Sequence, residues 1–64
     1  MTGREFAVVR VAKGYTQRAM ARELGVASST VARWEGPRMA GWPVPRMAEL
    51  ALEALPVKEI GDGP

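Results

Sequence analysis

Apolar residues along this chain recur at helical spacing, in four blocks separated by glycine or proline, and no stretch alternates as a strand would. Phe6, Val9 and Ala12 share one face of a first block, which predicts a helix from Thr2 or Gly3 to about Lys13. Gly14 follows it, in the place where a left-handed residue closes a helix. Thr16 then suits an N-cap, with a hydroxyl able to accept from the amide of Ala19. Met20, Ala21 and Leu24 are the inward positions of that second helix, and Gly25 ends it. Ala27 or Ser28 opens a third helix that runs to Trp34 or Glu35, with Val31 and Trp34 inward, and Gly36-Pro37 stops it. Residues 36–45 read as a loop rich in Gly and Pro. A fourth helix starts at Pro45, a residue suited to a first turn, and ends before Pro56. One more turn fits Val57–Ile60, and residues 61–64 read as a flexible, frayed tail. The expected fold is all-α, a compact bundle of four to five short helices, forming a single domain over residues 1–64.

The fourth block carries two apolar stripes where a surface helix of a monomer has one. Met47, Leu50, Ala51 and Ala54 form the first; Val44, Ala48, Leu52 and Leu55 form the second; Arg46, Glu49 and Glu53 mark the solvent side. Either both stripes are covered within one molecule, by the loop holding Trp42 and the tail holding Ile60, or the second stripe is a dimer interface. Length favours the interface. A chain of 64 residues buries only about 60% of its unfolded surface. It has no cysteine for a disulfide and no histidine for zinc, so no metal or cofactor is expected and oligomerisation is the remaining stabiliser. Val44, Ala48, Leu52 and Leu55 are therefore expected in a homodimer interface.

Charge narrows the partner. Residues 1–15 carry Arg4, Arg10 and Lys13 against Glu5, and residues 16–35 carry Arg18, Arg22 and Arg33 against Glu23 and Glu35. Residues 36–55 balance, with Arg38 and Arg46 against Glu49 and Glu53. A basic first half suits a polyanion, although an ordinary solvated surface has the same look. Enzymatic chemistry is disfavoured, since without His or Cys and with Asp62 as its one aspartate the chain offers no nucleophile and base pair. Arg10 and Lys13 interrupt the early apolar run Phe6 to Ala12, so no signal peptide is read, and no run reaches membrane-spanning length. A cytoplasmic protein is the expectation, with no membrane partner.

Arg10, then Gly14-Tyr15-Thr16-Gln17, Met20-Ala21, Leu24-Gly25-Val26, Ser28, Thr30-Val31 and Trp34-Glu35 occur at a spacing that resembles the phage repressor and Cro-like (XRE-type) helix-turn-helix family. The resemblance covers roughly residues 6–55, with the helix-turn-helix itself at about 16–35. The segment from Trp42-Pro43-Val44-Pro45 to Ala54-Leu55 is similar to short phage and plasmid members. Each position has a physical reason. Ala21 is small where two helices cross, Gly25 stands where the chain needs positive φ, Val26 and Val31 plug the angle between the helices, and Trp34 closes the core.

The resemblance implies a lambda-repressor-like DNA-binding domain that places its third helix in a major groove. Ala27, Ser28 and Ser29 then meet base edges, Ala27 through a methyl contact to thymine. Arg33 is the one exposed side chain of this helix able to grip guanine O6 and N7, with a phosphate as its alternative partner. Gln17 is implied to contact the backbone and set register, beside the helix dipole. Thr16, Arg18, Thr30, Arg38 and Arg46 are the further phosphate candidates. With few long polar side chains on the third helix, DNA shape is expected to contribute to specificity. Arg10 and Glu35 are implied to face each other as a structural ion pair. The implied function is a sequence-specific regulator of transcription that binds double-stranded DNA, a small repressor acting as a homodimer on an inverted repeat. An antitoxin with a protein partner is the alternative. No small-molecule ligand is implied.

Overall fold

Thr2 opens the first helix through a reciprocal cap: its hydroxyl accepts from the Glu5 N–H at 3.2 Å, and the Glu5 carboxylate accepts from the Thr2 N–H at 2.8 Å. That bond from the Thr2 backbone, aided by its hydroxyl, holds the Glu5 carboxyl below the usual carboxylate value. Its contribution to stability is present above the unfolded-state value and is lost as pH falls through the lowered folded-state value.

The protein is described by a computed structural model over residues 1–58. It contains α1 (Gly3–Ala12), α2 (Gln17–Leu24), α3 (Ser28–Glu35) and α4 (Arg46–Ala54). Among the described residues there is no strand, only an isolated bridge between Thr2 and Pro43. Val57 and Lys58 are not helical. The rest of the turn expected at Val57–Ile60, and the tail expected at 61–64, lie outside the described residues.

The turns follow from local chemistry. Gly14, with φ 88°, closes α1. Thr16 caps α2 by accepting from the Ala19 N–H at 3.0 Å. Gly25, with φ 74°, closes α2 in the left-handed region, where a Cβ is disfavoured. Ala27 is the N-cap of α3 and offers no side-chain bond. The loop after α3 is folded back on α1. Trp42 and Ala40 carbonyls accept from the first N–H groups of that helix, Gly3 at 3.0 Å and Arg4 at 2.9 Å. The approach requires Gly3, because a Cβ there would lie 1.8 Å from the Trp34 carbonyl oxygen.

Phe6, Met20, Val31 and Leu52 are fully buried at the centre, one from each helix, with Tyr15, Ala21, Val44 and Ala48 around them. Trp34 closes this core edge-on to Phe6, ring centroids 5.8 Å apart.

Here the structure corrects the reading of α4. Val44, Ala48 and Leu52, expected at a dimer interface, are buried in the chain's own core, and Leu55 packs partly buried against it. The other stripe faces outward: Met47 is 78% exposed and Leu50 46%. The two stripes are equally apolar, so periodicity cannot choose between them. Long-range contacts choose. The Met1 carbonyl accepts from the Val44 N–H at 2.9 Å just before α4. At the far end, the Lys13 ammonium donates to the carbonyls of Leu52 and Leu55, both at 2.7 Å, and Tyr15 Oη donates to the Pro56 carbonyl at 3.0 Å. A cation at a helix C-terminus also complements the helix dipole.

Two smaller expectations are corrected too, and the alternative cover for α4 is set aside in part. Ala12 is exposed rather than inward. Val26 is partly exposed rather than a plug, leaving Val31 to fill the angle. Trp42 is exposed and so does not cover α4.

Candidate nucleic-acid interface

Helices α2 and α3 pack on each other and present two ends. The N-terminus of α2 carries Thr16, Gln17 and Arg18, with Thr16 and Arg18 exposed and Gln17 half-buried. Its first two N–H groups, those of Gln17 and Arg18, come before the first helical donor, Met20 N–H to the Thr16 carbonyl at 2.9 Å, and meet no partner among the described residues. The N-terminus of α3 exposes Ala27, Ser28 and Ser29, while Thr30 is half-buried. The absence of a side-chain cap leaves both serine hydroxyls available.

Further along α3, Arg33 is exposed, and it lines one open hollow with Ala32, Gly36, Pro37 and Arg38. The fold thus brings Arg33 and Arg38 together across the end of the helix. Arg46 does not line that hollow. Arg46 Nη1 lies 3.2 Å from the Glu49 carboxylate on its own helix, an exposed pair of small net value.

The structure also reassigns part of the basic excess. Arg10 Nε and Nη2 donate to the two Glu35 carboxylate oxygens, each at 2.8 Å, with the side chains only 11% and 5% exposed. The third donor used, Nη1, reaches the Tyr15 carbonyl at 2.7 Å. Lys13 is spent on the end of α4. Two of the first-half cations therefore serve the interior. The exposed cations of the helix pair are Arg18, Arg22 and Arg33.

Sequence reasoning missed two features. One is Lys13, which a charge count places on the surface, because nothing local to it signals a partner roughly forty positions away. The other is the inward turn of Gln17, implied to contact the DNA backbone, whose Nε2 donates to Glu35 Oε1 at 3.0 Å. An acidic residue at the last position of α3 was the available signal, since a carboxylate accepts more bonds than one guanidinium fills.

No described helix is long and apolar enough to cross a membrane. Residues 8–35 match the family model described as Helix-turn-helix, a span that takes in the second half of α1 and all of α2 and α3. No curated protein and no solved structure matches the chain.

Proposed function

We propose that this chain, whose residues 8–35 match the helix-turn-helix model, is a DNA-binding regulator of transcription of the XRE type, and in particular a sequence-specific repressor of the small phage or plasmid kind, acting in the cytoplasm as a homodimer on an inverted repeat. The observation that carries the reading is the uncapped, exposed N-terminus of α3, lying within the family-matched span beside the N-terminus of α2. With α3 in the major groove, Ala27, Ser28 and Ser29 meet base edges and Arg33 reaches guanine. Thr16, Gln17, Arg18, Thr30 and Arg38 hold phosphates, which fix register and supply affinity without reading sequence. Arg46, tied to Glu49, is the weakest of the phosphate candidates.

The homodimer is supported by the outward stripe of α4. Met47 and Leu50 are large apolar side chains left in solvent, with exposed Trp42 shortly before them in the chain. A two-fold pair of protomers sets the two α3 helices about 34 Å apart, one turn of DNA, and so demands half-sites with centres about 10 base pairs apart. Selection of sites from random duplexes tests the whole reading. An inverted repeat with that spacing supports it, and recovery of no enriched sequence refutes it.

Two variants separate the parts. Arg33→Ala should weaken the selected site by roughly 1–3 kcal/mol more than random DNA if Arg33 grips guanine. Equal losses on both duplexes make it a phosphate contact. Met47→Glu changes a side chain already in water, so the fold should survive, and sedimentation should find a monomer. Affinity for the two-half-site operator should then drop by about 100-fold or more, because avidity is lost. A variant that stays dimeric moves the interface away from α4.

A further inference from the structure

The buried pair of Arg10 and Glu35 has bonding capacity left over after its own two contacts, and both partners spend it at one place. Arg10 Nη1 donates to the Tyr15 carbonyl at 2.7 Å, and Glu35 Oε1 accepts from Gln17 Nε2 at 3.0 Å. Tyr15 and Gln17 flank Thr16, the N-cap of α2. We propose that Arg10 and Glu35 are positioning residues for DNA binding, holding Tyr15 and Gln17 so that the N-terminus of α2 is set for a phosphate before DNA arrives. The proposal rests on the DNA-binding reading above.

The chemistry of the amide supports this. A phosphate oxygen accepts hydrogen bonds and donates none, so Gln17 Oε1 is no use to it. One Nε2 hydrogen is already directed at Glu35. What Gln17 brings to DNA is then its backbone N–H, together with that of Arg18, and besides these only its second Nε2 hydrogen. Those N–H groups are useful only if residues 15–17 keep one conformation, since ordering a loop on binding weakens affinity. Free, Gln17 would have many rotamers, and the segment before α2 would be held by its cap and by Tyr15 alone, through the buried ring and its bonds to the Arg10 and Pro56 carbonyls. Tied at both flanks to a pair that is itself nearly buried, the segment is fixed relative to α1 and to the last residue of α3. The same link keeps the phosphate-gripping end of α2 in a constant relation to the helix that reads bases. Arg10 and Glu35 do this without touching DNA.

A double-mutant cycle with the full chain tests it, using a random-sequence duplex at fixed salt and a thermal melt of every variant. Gln17→Met should weaken the parent about tenfold, the scale of one hydrogen bond to a charged group. Arg10→Met with Glu35→Leu, an apolar replacement of the pair, should melt close to the parent yet bind about tenfold more weakly or worse. Adding Gln17→Met to that background should cost less than about twofold more, because the link it removes is already gone. Parent-like binding by the apolar-pair variant overturns the proposal, as does an equal effect of Gln17→Met in both backgrounds. Should the apolar-pair variant not fold, the parent decides by NMR. The Gln17 side-chain amide should be protected from solvent exchange both free and with duplex bound, and rapid exchange in the free protein overturns the proposal. A parent that binds no duplex removes the DNA-binding reading and the positioning role together. Failure of the cycle alone leaves DNA binding standing.

Discussion

A chain carrying Leu52→Glu is expected to lose its fold. Leu52 is fully buried and meets the same core as Phe6, Met20 and Val31. Removing a buried leucine side chain costs about 2–5 kcal/mol by itself. Placing a carboxylate in its position adds the cost of a charge without water or partner. Lys13 is the nearest cation to that stretch of backbone, but its ammonium is engaged with the Leu52 and Leu55 carbonyls. A domain of this size has a total stability of roughly 3–10 kcal/mol, so the substitution consumes most or all of it. Circular dichroism and tryptophan fluorescence should show an unfolded chain at room temperature. A folded Leu52→Glu protein would mean that α4 is rotated about its axis, with Met47 and Leu50 inward. The contrast with Met47→Glu is therefore a direct test of which stripe faces the core: one variant unfolds, and the other stays folded.

How much of this was legible in the sequence differs between its local and its long-range features. Thr16 as a cap, Gly25 as a left-handed closure and the limits of α2 and α3 depend on a few adjacent residues, and hydrogen-bonding chemistry decides them. Proline at the start of α4 was readable in the same way. The orientation of α4 was not, because Val44, Ala48 and Leu52 differ from Met47, Leu50 and Ala51 in no respect that periodicity detects. The choice belongs to Lys13 and the chain's first residues, which meet α4 only once the chain has folded. The same holds for the interface. The exposed ends of α2 and α3 could be read from helix limits, whereas the inward turn of the Gln17 amide depends on a carboxylate eighteen positions away. Counting charges likewise overstated the basic surface. Arg10 and Lys13 are cations of the interior, and their partners are a carboxylate and a set of backbone carbonyls. Arg18, Arg33 and Arg38 remain as exposed cations.

Arg10→Met should be among the most destabilising single substitutions outside the apolar core. The change keeps the length of the stem and removes three hydrogen bonds, two to Glu35 and one to the Tyr15 carbonyl. Glu35 is left as a carboxylate only 5% exposed, with Gln17 as its one remaining donor among the described residues. Breaking a buried pair from one side in this way costs about 3–5 kcal/mol, since the orphaned charge keeps its desolvation penalty and loses its attraction. For a domain of 60–100 residues each kcal/mol moves the melting temperature by about 4–8 °C, which makes a drop of roughly 12 °C or more. Replacing both partners, Arg10→Met with Glu35→Leu, removes the stranded charge and should recover much of the loss, as buried pairs often add little net stability over apolar residues of similar volume. Thermal and urea denaturation of the parent, the single variant and the double variant complete the comparison. A single variant that melts like the parent would place the pair in water and would remove the packing of α1 against the end of α3. A double variant as unstable as the single one would show that the three bonds matter for themselves. Recovery of stability without recovery of DNA affinity separates what the pair does for the fold from what it does for the N-terminus of α2.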